Sequence, residues 1–134
     1  MKRSTTMLAL VALMLAGPTG AQTAKAPTVK EIMEQANKPN GLYYDLKRDL
    51  RDDDPMWEDM KGRAQELLKL AEALPKAKPP QGDKESWARL TRENLTKVKA
   101  LAQAIENQDR KAARAAHGRL EASCKGCHDV HRPK

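Results

Sequence analysis

Apolar residues recur at helical rather than strand spacing over most of this chain. From Val29 the stripe runs through Ile32, Met33 and Ala36 and resumes at Leu42, Leu46 and Leu50, with Thr28 placed to cap the first amides. Lys38-Pro39-Asn40-Gly41 interrupts it, and a proline, which has no amide hydrogen, kinks or splits a helix there. Asp52-Asp53-Asp54-Pro55 then predicts an acidic cap with proline at the first helical position. It opens a second helix in which Trp57, Met60, Ala64, Leu67, Ala71 and Leu74 form one stripe. Residues 75–82 carry Pro75, Pro79 and Pro80 and read as a loop. Asp83 caps a third helix through Trp87, Leu90, Asn94, Val98, Leu101 and Ile105. Asp109 caps a fourth through Ala113, Ala116, Leu120, Cys124 and Cys127. No stretch alternates as a strand would. The pattern predicts an all-α chain, an antiparallel four-helix bundle with short links between its last three helices.

The first residues follow a different rule. Met1-Lys2-Arg3 is charged, Met7 to Ala16 is apolar but too short to span a bilayer, and Gly17 to Ala21 are mostly small. Residues 1–21 therefore read as a signal peptide cleaved after Ala21. Residues 22–27 follow as a flexible lead-in and residues 28–134 as one domain. No cysteine follows the apolar run to take a lipid, so the expectation is export without a stable membrane anchor.

Composition sharpens the problem of the core. The chain has no Phe and four other aromatic residues, Tyr43, Tyr44, Trp57 and Trp87, which leaves a small bundle short of bulk. Both tryptophans sit at predicted helix starts and read as packing anchors. The formal net charge of +7 falls to +5 once Lys2 and Arg3 leave with the signal. Cations alternate with acids and lack stacking aromatics, which excludes nucleic-acid binding and leaves acidic protein partners or a solvated surface.

Candidate chemistry is concentrated near the C-terminus. Both cysteines lie in Cys124-Lys125-Gly126-Cys127-His128, and C-x-x-C-H is the attachment signal for c-type haem. Two thiols at this spacing can add to the two haem vinyl groups, and the adjacent histidine is then held under the iron as an axial ligand. A redox dithiol would want a βαβ context, absent here. A disulfide or a zinc site stays open, although only His117 and His131 remain to complete a zinc shell. His117 lies two turns before Cys124 on the same face and about 16 Å along the helix from His128. It reads as a core or rim histidine.

The run Ser123-Cys124-Lys125-Gly126-Cys127-His128-Asp129-Val130-His131-Arg132, approached through Ala112-Ala113-Arg114-Ala115-Ala116, resembles the class II cytochromes c. This is the group of cytochrome c-prime and its low-spin relatives. The resemblance implies one covalent haem c within the bundle, held by Cys124, Cys127 and His128 of the last helix, with the first helix over the opposite face. Arg132 matches the basic residue usual four places after the haem histidine, whereas His131 stands where an aromatic is common. In the low-spin relatives a methionine of the first helix is the sixth iron ligand, which makes Met33 the candidate here. Its alternative is a plain core methionine. Met56 and Met60 are weaker candidates.

The functional expectation is a periplasmic electron-transfer protein, not an enzyme, serving redox partners. The resemblance also implies possible homodimers through the first two helices. A five-coordinate cytochrome c-prime that binds nitric oxide or carbon monoxide is the first alternative. An exported helical binding module with a disulfide or zinc at C-x-x-C is the second. Lys111, Arg114, Arg119, Lys125, Arg132 and Lys134 suggest a positive haem end, against Asp49, Asp52, Asp53 and Asp54 at the far junction.

Overall fold

A computed structural model describes residues 25–134. The signal peptide, residues 1–21, lies outside the described residues, as do residues 22–24 of the lead-in. Five α-helices follow: α1 (Val29–Asn37), α2 (Leu42–Asp49), α3 (Trp57–Ala73), α4 (Lys84–Glu106) and α5 (Arg110–His131), with one 3₁₀ turn at Leu74–Lys76. No strand occurs among the described residues. The result is a four-helix bundle whose first limb is divided into α1 and α2. The division falls at Lys38-Pro39-Asn40-Gly41, where Asn40 takes a left-handed φ of 68° and the Gly41 amide donates to the Lys38 carbonyl at 2.6 Å.

Helix ends follow local chemistry. Thr28 and Glu31 form a reciprocal capping box, and Asp83 and Asp109 accept from the Ser86 and Ala112 amides at 2.8 and 2.9 Å. The start of α3 departs from expectation. The helix begins at Trp57 behind Met56, with no side-chain cap, so Pro55 precedes the helix instead of occupying its first position. Asp52 turns its carboxylate to the Asp54 amide at 3.2 Å, a local turn that competes with capping.

The main core joins Leu46 and Leu50 of the first limb to Met60, Ala64 and Leu67 of α3, Val98, Leu101 and Ile105 of α4, and Ala113, Ala116 and Leu120 of α5. Alanine on α5 lets α4 approach it closely. A smaller cluster of Ile32, Leu74 and Trp87 closes the other end, with Met33 and Cys127 packed against it. α1 packs chiefly on α2 and α3 rather than on α5. The largest cavity opens between α1 and the C-terminal half of α5.

Candidate haem site

The last two turns of α5 run past solvent on one side and past this cavity on the other. Cys124, Cys127 and His128 fall on one helical face because residues three and four apart stack along a helix. All three are half-buried, and all three line a cavity of about 1160 Å³. Small-molecule sites commonly occupy roughly 300–1,000 Å³. Across the cavity stands Met33 of α1, with Leu70, Trp87 and Val98 supplying apolar wall and Lys97, Arg119 and Arg132 cationic rim. Cys124, Cys127, His128, Met33 and Arg132 thus line one cavity, and Met56 and Met60 do not.

The thiols are free, and burial pushes both above their ordinary range; Glu121 adds to the effect on Cys124, and Cys124 to that on Cys127. A reactive dithiol needs the opposite shift. Burial, and then the Arg132 charge, lower the His128 pKa, keeping the imidazole neutral with a lone pair for a metal. The Met33 sulfur accepts from Asn37 Nδ2 at 3.4 Å and keeps a second lone pair. Met56 is exposed and Met60 is fully buried in the main core, away from the cavity lining.

The spare histidines do not complete a zinc shell around the cysteines. His131 is buried with Nδ1 2.7 Å from the Gln81 carbonyl and Nε2 2.7 Å from the Ser86 hydroxyl. A carbonyl only accepts, so Nδ1 carries the proton and donates. His117 is buried two turns below Cys124, with Nε2 donating to the Tyr43 carbonyl at 3.1 Å and its ring stacked on Tyr43 at 4.3 Å. No group of three or more His, Cys, Asp or Glu side chains suited to a metal occurs among the described residues.

Two features had no clear signal in the sequence. The Tyr43 hydroxyl is buried with no hydrogen-bond partner, a costly state for a polar atom, in a residue that also lines the cavity. Apolar walls beside cations suit a flat apolar group with anionic edges, which is what a haem with its two propionates presents, so the residues fit that group. The second feature is the seat of His131 against the edge of Trp87, with ring centroids 5.1 Å apart. This histidine fills the place of the usual aromatic by packing as one.

The predicted charge asymmetry is weaker than the sequence suggests. Arg110 pairs with Asp53 at 3.0 Å and Arg63 with Asp49, while Arg114 Nε donates to the Leu50 carbonyl at 2.6 Å. Lys111 and Arg114 therefore lie at the acidic end, and Lys125 is paired with Asp129. Arg119, Arg132 and Lys134 remain to charge the haem end.

Residues 81–132, which span all of α4 and α5, match the family model described as Cytochrome C', a class II cytochrome c family. Comparison with curated proteins and with solved structures returned no match.

Proposed function

We propose, on the premise that this chain belongs through residues 81–132 to the class II cytochrome c family, that it is a mono-haem electron-transfer protein of the periplasm. The observation that carries the reading is the single cavity on which Cys124, Cys127 and His128 face Met33. Cys124 and Cys127 would hold the haem as thioethers, His128 would bind iron from α5, and Met33 would bind it from α1. The haem supplies a one-electron carrier, and a soft thioether ligand with burial raises its potential. The chain's own part is to fix both ligands before any electron arrives. Asn37 holds the thioether in place, burial keeps His128 neutral, and the apolar walls exclude water. No helix among the described residues is long and apolar enough to cross a membrane.

The Asn37 contact also favours a second reading. If that hydrogen bond holds the Met33 sulfur on the wall, a bound haem would keep an open position and the cavity would admit nitric oxide or carbon monoxide. Absorption spectra of the oxidised and reduced protein separate the two. Low-spin spectra in both states with little carbon monoxide uptake support electron transfer, and a high-spin spectrum with ready uptake overturns it. Denatured mass lacking one haem overturns both.

A further inference from the structure

A second cavity of about 230 Å³ opens between the end of α2 and the middle of α5. Tyr43, which lines the first, stacks on His117, which lines the second, and Glu121 lines both. Lys47, Arg51, Arg114 and Glu121 ring the opening. Three cations meet one carboxylate, and that carboxylate is already bound to Lys47 at 2.6 Å. Arg51 makes no ion pair among the described residues. The bond from Arg114 Nε to the Leu50 carbonyl fixes its guanidinium and leaves both terminal nitrogens without a protein partner among those residues. At the floor lies His117, 4% exposed, whose Nδ1 likewise has no partner.

We propose that Arg51, Arg114, Lys47 and His117 form a binding site for a small oxyanion. Guanidinium forks match oxyanions in shape as well as charge, and one of the two is already oriented by the backbone. His117 donates through Nε2 to the Tyr43 carbonyl, so its second proton goes to Nδ1, which then becomes a donor toward the cavity. Burial, with the Lys47 and Arg51 charges in support, holds the ring neutral while the site is open; the Tyr43 carbonyl and Glu121 oppose them. An anion between the arginines reverses that local field. Anion and proton therefore bind cooperatively, and each raises the affinity for the other by the same factor. The site uses only α2, its C-terminal turn and α5, and none of Cys124, Cys127, His128 or Met33, so it stands independently of the haem.

The test follows the His117 ring protons by NMR in the reduced protein, titrated with pH at fixed ionic strength in inorganic phosphate or in chloride. Saturable phosphate binding that raises the His117 pKa, with about tenfold weaker binding in Arg51→Gln and a larger loss in Arg51→Gln/Arg114→Gln, is the expected result. Arg51→Gln leaves the Leu50 carbonyl contact intact and keeps the test sound if the double variant folds poorly. A His117 pKa that responds equally to chloride and phosphate, or a phosphate affinity unchanged in Arg51→Gln, would overturn the proposal.

Discussion

His117 and Met33 show how one position on a helical stripe can carry either packing or chemistry. Spacing puts both on buried faces; partners decide the rest. The folded state holds the His117 pKa below the ordinary 6.5, chiefly through burial. Unfolding exposes the ring, so between the lowered value and 6.5 the unfolded chain binds more protons, and stability falls as pH falls through that window. Denaturant melts of the holoprotein from pH 7.5 to 5 should show this slope, and His117→Gln, which can still donate to the Tyr43 carbonyl, should flatten it. An unchanged slope would assign the pH dependence to another group. For Met33, replacement by Ala should open the iron to carbon monoxide, remove the near-infrared sulfur-to-iron band of the oxidised protein and lower the reduction potential. Met60→Leu is the control. A volume-conserving core change costs under about 1.5 kcal/mol and should leave the spectrum as it was. Retention of the band in Met33→Ala would remove Met33 from the ligand set.

Element boundaries were legible wherever one side chain makes them. Thr28, Asp83 and Asp109 cap where their chemistry predicts, because an oxygen one side chain away from an open amide needs nothing else from the fold. The split at Pro39 was legible as an interruption, but its outcome depends on how α2 packs on α3. At the start of α3 the three aspartates are a poor guide, since each can turn to its own backbone instead of capping. The loop before α4 hid most. Nothing in Gln81, Gly82 or Ser86 announces that they receive His131 from the far end of α5, a contact across 45 to 50 residues. Here the backbone approach is close. Gly82 has φ 79°, and a methyl on it would sit 2.8 Å from His131 Nδ1. Gly82→Ala should therefore cost about 1–3 kcal/mol through the left-handed backbone alone. It should also loosen the C-terminal turn of α5, read as faster amide exchange at residues 128–132. Loss of stability without faster exchange there would confine the effect to the loop.

At the scale of the whole molecule, the site was legible in its residues and hidden in its volume. The sequence shows two thiols, a histidine and a methionine, and a bundle short of aromatic bulk. Only the fold shows that α1 stands away from α5 and that about 1160 Å³ lies between them. A cavity of this size next to a small core deprives its lining of dispersion contacts and leaves apolar side chains wet. A haem bound there would supply the missing core layer. Cys124→Ala with Cys127→Ala, expressed beside the wild-type protein with haem-attachment machinery, should give a chain with lower helicity and a less cooperative melt. The ends should be affected unequally. Leu46, Met60, Leu101, Ile105 and Ala113 of the main core do not line the cavity, so amides of α4 from Leu101 to Ile105 should stay protected. α1, held by the small cluster around Ile32, Leu74 and Trp87, should exchange at once. Hydrogen exchange followed by mass spectrometry reads both regions in one experiment. Equal protection of α1 in the haem-free variant and the wild type would show that the bundle closes without its cofactor, and that the cavity contributes to function but not to folding.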